Sequence, residues 1–395
     1  MKSLLQTHII TNRLSVSREG GFFVPLFLDM RILLLGEYSN VHWTLAEGLR
    51  HHGHEVVVVS DGDGWKNYPR NISLHRTSNR LLPTLAFLAR LMRALPKLRG
   101  FDVVQIINPV FVHLKAEKLL PIYRYLRRHN KKVFMGAFGV DYFWVKCGLD
   151  GHTFRYSDFN IGKQLRHNAD NDREIADWLN GAKGKLNLQI AADCDGIVSG
   201  LYEYDACYRP SFPEKTKFIP FPIDVQSITP KVRSCDDGRV KFFIGIQKKR
   251  NEYKGTDIML RALQRLQAEY PDRVQIEKAE SVPFAVYRQM MDDSHVILDQ
   301  LYSYTPAMNA LQAMAQGLVV VGGGELENYE ILNETELRPI INVLPDEEDV
   351  YRRLKELALH PEKLARLSAD SRRYVERHHD HIKVAQEYLD FWASK

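Results

Sequence analysis

The stretch "IGIQKKRNEYKGTD" (244–257) gathers basic and amide side chains where an anion could be held. A β run ends in Gly245, and Gln247, Lys248, Lys249 and Arg250 follow directly. Lys254 and Gly255 then stand just before a helix that Thr256 can cap. A departing diphosphate needs positive charge in place before its bond breaks, because preorganised charge stabilises a transition state most. Lys254, as a fixed cation beside a helix start, meets that need. The competing reading is an exposed lysine-rich turn.

A second stretch, "TPAMNALQAMAQGLVVVGGG" (305–324), reads as a short helix, a stop, a buried strand and a glycine run. Thr305 can cap the helix and Pro306 suits its first position. Gly317 terminates it, and Leu318 to Val321 form an apolar β run. A helix start exposed at a sheet edge can bind an anion, although any α/β fold contains such starts.

Three further places carry candidate chemistry. The loop "GEYSNVH" (36–42) follows the first strand, with Gly36 at the turn and Asn40 and His42 where side chains could point into a cleft, the competing reading being a solvated loop. In "GAFGVDYFW" (136–144) the glycines permit close backbone approach, and Asp141 could orient sugar hydroxyls or act as a base, or simply cap a turn. Asp61 and Asp63 in "DGDG" could share a metal-bound diphosphate, but glycine-flanked aspartates are ordinary loop residues. The histidines of "ERHHDHIK" (376–383) do not share one helical face, so no metal site is expected. The loop after the first strand lacks GxGxxG, and no Walker A loop occurs, which argues against hydride transfer and ATPase chemistry. Nor is there a GxSxG nucleophile.

The elements that must position these residues alternate β and α from Met30 onward. Expected strands cover 31–35, 55–60, 102–108, 131–139 and 196–200, with helices at 41–52, 81–98, 114–129 and 172–192. A second series places strands at 240–246, 274–279, 295–300, 318–321 and 340–344, with helices at 256–270 and 284–293. This alternation predicts parallel sheets with helices on both faces. The fold class is therefore α/β: two doubly wound, Rossmann-like domains facing a cleft, joined through a proline-rich connector at 218–239. Expected spans are 30–220 for the first domain, 221–375 for the second and 376–395 for a C-terminal helix. Residues 1–29 lack the pattern of a signal peptide and read as an upstream extension, of the kind a mis-assigned start would leave.

With 395 residues the chain has room for two domains, and 45% hydrophobic and 26% charged residues are ordinary for a globular protein. Four cysteines without a CxxC pair favour free thiols in a reducing cytoplasm. The net charge of +5 conceals a local excess: residues 80–132 carry twelve Lys/Arg against Asp102 and Glu117, so this segment holds +10 and the remainder is net acidic. Such a patch points to an anionic surface. The apolar stripe of 81–99 either packs on its sheet or rests on an anionic membrane. Nucleic acid is not expected, since the patch lacks a recognisable module.

Two doubly wound domains, Lys254–Gly255 after the first strand of the second, and "SYTPAMNALQAMAQGLVVVGGG" together resemble the GT-B glycosyltransferases. More narrowly they are similar to the large retaining family with an E-x7-E element and an EAMA-type helix. The similarity spans most of 30–395, including "GHEVVVVS" (53–60) and "KFIPFPID" (217–224). The resemblance implies transfer of a sugar from a nucleotide diphosphate sugar to a glycan or lipid-linked acceptor, with retention and with no metal or other cofactor. It implies that Lys254 holds the diphosphate, helped by the amides of Ala307, Met308 and Asn309, with Gln247, Lys248, Arg250, Gly255 and Thr305 around the donor. It also implies a C-terminal helix crossing back to the first domain. The two glutamates of the element fall on Tyr304 and Gln312. Gln312 keeps one accepting oxygen for ribose but no charge, and Tyr304 replaces the carboxylate expected at the transferred sugar.

The sequence thus leads to a cytoplasmic glycosyltransferase of surface polysaccharide or glycolipid synthesis, peripheral on the inner face of a membrane. The rival readings are a GT-B scaffold without transferase activity, supported by the missing carboxylates, and a nucleotide-sugar epimerase on the same architecture.

Overall fold

The computed structural model describes residues 29–395 except 79, 236, 248, 249 and 281. The segment read as an upstream extension lies outside the described residues but for its last position, and so does Lys248.

In the first half of the chain, β1 (Arg31–Leu35) leads to α1 (Val41–His51), β2 (Glu55–Ser60), β3 (Ile72–Ser73), α2 (Leu81–Ala94) and β4 (Val103–Ile106). Then follow α3 (Ala116–His129), β5 (Lys132–Ala137), α4 (Tyr142–Leu149), and a hairpin of β6 (Asn160–Ile161) and β7 (Gln164–Leu165). The half closes with α5 (Ala169–Trp178), α6 (Ala182–Asp193), β8 (Gly196–Ser199), α7 (Tyr202–Tyr208) and β9 (Thr216–Phe218). Seven of these strands form one parallel sheet in the order β3-β2-β1-β4-β5-β8-β9. β1 and β4 are wholly buried apart from Arg31, as near-continuous apolar runs covered on both faces should be.

The second half builds a smaller sheet from β10 (Val240–Ile246), β11 (Val274–Glu280), β12 (Val296–Leu298), β13 (Val319–Gly322) and β14 (Ile341–Asn342), all parallel, in the order β11-β10-β12-β13-β14. Its helices are α8 (Asn251–Lys254), α9 (Thr256–Glu269), α10 (Phe284–Asp292), α11 (Met308–Ala315), α12 (Leu326–Ile331), α13 (Glu347–Leu359) and α14 (Lys363–His378). The last helix, α15 (His381–Ala393), lies on the first half: Gly48 of α1 is so close to it that an added Cβ would sit 2.2 Å from the His381 carbonyl oxygen. His52 Nε2 reaches the Ile382 carbonyl at 2.9 Å, and Phe391 and Trp392 pack on Phe134 of β5.

Local structure departs from expectation at several element ends. The expected helix 172–192 is two helices, α5 and α6, broken at Asn180–Gly181, where a Cβ on Gly181 would lie 2.4 Å from the Asp177 carbonyl oxygen. The short helices α4 and α7 and the hairpin between them carry no periodic signal long enough to read. Thr256 does not cap α9. Gly255 does, with φ +70°, while the Thr256 hydroxyl bonds Asn251. α11 begins at Met308 rather than at Pro306, with Ala307 as its cap residue and no capping side chain. Gly317 ends α11 as expected, with φ +87° and a Leu318 N–H bond to the Ala313 carbonyl. All four cysteines are free thiols, and no helix among the described residues is long and apolar enough to cross a membrane.

Candidate active site

Both sheets reverse their strand order at one point, between β1 and β4 in the first and between β10 and β12 in the second. Ligands of open α/β sheets bind outside the carboxyl ends of the strands at such reversals. A cleft of about 1220 Å³ opens there, lined from both halves. That volume exceeds the roughly 300–1,000 Å³ of most small-molecule sites.

The first wall is built after β1. Gly36 turns with φ +91°, against Ile107, and Ser39 and Asn40 hold left-handed backbone at φ 52° and 71°. This delivers Asn40, Thr44 and Glu47 to the cleft, with the Asn40 Oδ1 buried and unpartnered. Asp63 fastens the neighbouring loop, accepting from the Ser39 amide at 2.9 Å and from Lys66 Nζ at 2.7 Å. Trp65 and Tyr68 of that loop reach the rim and meet Phe284 of α10 edge-on, with centroids 5.6 and 5.7 Å apart.

The second wall holds the charge. Gln247, Arg250 and Lys254 line it after β10, Arg288 lines it on α10, and Ala307, Met308, Asn309 and Gln312 line it at the start of α11. Arg250, Lys254 and Arg288 have no ion-pair partner among the described residues, although Arg250 lies over the Tyr253 ring at 4.7 Å. Burial pulls the Lys254 ammonium below its ordinary range, Asp299 opposes this, and Arg250 and Lys66 add to it. Asp299 is raised by burial against the pull of Lys254, and it accepts a hydrogen bond from Asn309 Nδ2 at 3.1 Å. Asn309 Oδ1 in turn accepts from Tyr287 at 3.1 Å. The uncapped first turn of α11 therefore faces three cations, of which Lys254 feels the Asp299 carboxylate without forming an ion pair with it, an arrangement suited to a polyanion.

Several expected site residues lie elsewhere. Asp141 caps α4: its carboxylate accepts from the Trp144 amide at 2.9 Å and from the Tyr208 hydroxyl at 2.6 Å, fully buried and outside the cleft lining. Burial raises its pKa to about 6. His42 is a core histidine, wholly buried, with Nδ1 2.9 Å from the Gly36 carbonyl and its pKa lowered by burial to about 3. The start of α1 is itself occupied by Glu37, which accepts from the His42 and Trp43 amides at 3.2 and 2.9 Å. Gly255 serves the backbone rather than the cleft, since a Cβ there would lie 2.7 Å from Leu301.

Tyr304 and Thr305 are drawn into the contact between the two halves. The Tyr304 hydroxyl accepts from the Arg155 amide at 2.7 Å, and its ring packs against Tyr156 and Tyr202. The buried carboxylate of Glu203 accepts from the Tyr304 amide at 2.7 Å, the Thr305 amide at 3.1 Å and the Thr305 hydroxyl at 2.5 Å. That is why Thr305 does not cap α11. Around them Arg155 pairs with Glu325 and Glu327, and Arg166 lies 3.5 Å from the Tyr302 ring centroid. Asp299, Arg288 and Glu203 were missed by sequence reasoning. Only Asp299, a carboxylate closing the strand "HVILDQ", carried a signal that strand-end loops could have supplied.

Among the described residues no group of three or more His, Cys, Asp or Glu could hold a metal ion. Asp61 and Asp63 are engaged by His113 and by Lys66.

No family model and no curated protein matches the chain. Solved structures do. The chain is similar to sucrose-phosphate synthase from Thermosynechococcus elongatus (TM-score 0.58, 14% identity, 93% of this chain and 100% of that one). It is similar to Anabaena HepE in complex with UDP-glucose (0.57, 11%, 93% and 100%). It also resembles UDP-GlcNAc 2-epimerase from Neisseria meningitidis bound to UDP-GlcNAc (0.52, 11%, 93% and 100%). At these identities the likeness concerns architecture, and the architecture is GT-B: two Rossmann-like domains on either side of a cleft.

Proposed function

We propose that this protein is a glycosyltransferase that takes a sugar from a nucleotide diphosphate sugar. The observation that carries the reading is the set of three cations without an ion-pair partner among the described residues, Arg250, Lys254 and Arg288, gathered with the uncapped start of α11 at the strand reversal of the second sheet. In this reading the diphosphate lies between Lys254 and the amides of Met308 and Asn309. Gln312 contacts the ribose, and Gln247 and Arg250 flank the phosphates. The sugar faces Asn40 and Thr44 across the cleft, where an acceptor hydroxyl enters. Because HepE and the epimerase were solved with uridine nucleotides, a UDP-sugar is the first donor to try. Retention of configuration, a glycan or lipid-linked acceptor and a role in surface polysaccharide or glycolipid synthesis belong to the same proposal.

Charge fixed before bond cleavage is what lowers the barrier to diphosphate departure. Lys254→Ala is therefore expected to cost about 3 kcal/mol of transition-state stabilisation, or more than a hundredfold in rate. The check is UDP release from a UDP-sugar panel by wild type and variant, with and without acceptor glycolipids. Equal rates in the two proteins would remove Lys254 from the mechanism.

A second reading rests on Tyr304. With that ring packed between the domains, the carboxylate that the loop before α11 brings to the cleft is Asp299, held by Asn309, and position 304 offers none, which favours a binding protein without transfer. It predicts UDP binding with no UDP release under any acceptor condition. Donor turnover that needs no acceptor and releases no UDP would instead indicate an epimerase.

A further inference from the structure

We propose that α2 docks the protein on an anionic lipid bilayer, its outer face entering the headgroup layer and the cations of α2 and α3 meeting lipid phosphates. The helix is apolar on two sides. Phe87, Leu91 and Ala94 are buried, while Leu81, Leu85, Leu88 and Met92 recur at intervals of four, three and four on a second face about 120° round the helix. These four are 73%, 52%, 37% and 65% exposed, and Leu82 beside them is 78% exposed. Five large apolar side chains on one exposed face are more than scattered surface hydrophobes explain.

The surroundings decide what covers them. Arg93 in the last turn of α2, and Lys97 and Arg99 just after it, are exposed and have no carboxylate partner among the described residues, and the same holds for Lys118, Arg124 and Arg128 on α3. The two elements adjoin, since the Tyr125 hydroxyl donates to the Leu95 carbonyl at 3.0 Å and Asn130 donates to that of Leu98 at 3.0 Å. Asp102 is already paired with Lys131 at 2.6 Å, so Glu117 is the one exposed acid in this segment without an ion pair among the described residues. An apolar face rimmed by unpaired cations matches the interface of an anionic membrane, which takes apolar groups at its acyl boundary and attracts basic ones. A second copy of the same face would place like charges against each other.

The placement suits a lipid-linked acceptor. α2 follows β3 and so starts at the carboxyl end of the first sheet, the end that faces the cleft. Arg76 bonds Thr84 in its first turn at 2.7 Å. The adjoining His75 reaches the Asp61 carbonyl at 3.4 Å, next to the loop that Asp63 ties to Ser39 of the cleft wall. The docking itself does not depend on the donor reading above and can succeed or fail without it.

The test is co-sedimentation of the full chain with vesicles of phosphatidylglycerol and phosphatidylcholine, and with phosphatidylcholine alone. Binding to the anionic vesicles should be about tenfold stronger or more and should fall in about 0.5 M salt, where charges are screened within about 4–5 Å. Leu85→Glu with Met92→Glu, and separately Arg93→Glu with Lys97→Glu, should each reduce it about tenfold with unchanged melting temperature. Should the glutamate pair at 85 and 92 lower the melting temperature, Leu82→Ser with Met92→Ser gives the same readout at exposed positions. Equal binding to both vesicle types, no binding, or a solution dimer that Leu85→Glu with Met92→Glu dissociates would overturn the proposal.

Discussion

At the residue scale, the candidate site was legible where a residue's role depends on its own strand end. Gln247, Arg250, Lys254 and the amides at 307–309 lie where the spacing put them, because a β run followed by a helix start fixes both ends of that wall. Side chains whose fate depends on a distant partner were not legible. Asp141 and His42 have the types of catalytic groups, but Tyr208, sixty-seven positions away, and the Gly36 carbonyl take them into the core. The neutral state of His42 makes a distinct prediction. Its folded pKa of about 3 lies below the unfolded value of about 6.5, so the unfolded chain binds its proton first as pH falls. The stability it contributes is complete above pH 6.5 and is lost on descending towards pH 3. His42→Asn should therefore flatten the stability-against-pH slope in that window by about 1.4 kcal/mol per pH unit, as read from urea midpoints. On the cleft wall, Gln312→Glu would place a charged acceptor at the ribose of the proposed donor pose. Charged hydrogen bonds contribute about 1 kcal/mol more than neutral ones, so calorimetry should find nucleotide binding up to about tenfold tighter.

At the element scale, the start of α11 is set by a carboxylate from the other half of the chain. Glu203 satisfies two amides and a hydroxyl of the segment that leads into the helix, and it leaves Ala307 where a capping side chain would otherwise compete with a ligand. Glu203→Ala should cost about 3 kcal/mol, since each buried donor left unsatisfied costs about 1–3 kcal/mol. Thr305→Val removes the hydroxyl alone and should cost about 1 kcal/mol. Denaturant unfolding of the two variants checks the ratio, and equal losses would contradict the role given to the amides. The buried strands were readable as short continuous apolar runs and the longer helices by their periodicity, signals that each segment carries by itself. The α11 start was not, because there a local capping preference meets a contact from Glu203, and the break between α5 and α6 was not, because it turns on a tight approach of Gly181 to the Asp177 carbonyl.

At the scale of the whole molecule, the two halves are tied by Glu203, by Arg155 with Glu325 and Glu327, and by α15 lying on α1. Alternation of strands and helices announced both sheets, but nothing in it announced these ties, which join side chains more than a hundred positions apart. Their consequence is that a ligand in the cleft should stabilise the chain as one unit. Nucleoside diphosphate at 100 times its dissociation constant adds about 2.7 kcal/mol. Spread over the unfolding entropy of the whole chain, about 2.1 cal/mol/K per residue, this raises the melting temperature by about 3–4 °C in a single transition. The most direct test of the donor site is that melting temperature, measured for wild type and Lys254→Ala against UDP, GDP, ADP and their sugar conjugates. The account predicts a shift for one base that the variant loses. Absence of a shift with every nucleotide, or a shift that Lys254→Ala retains in full, would contradict it.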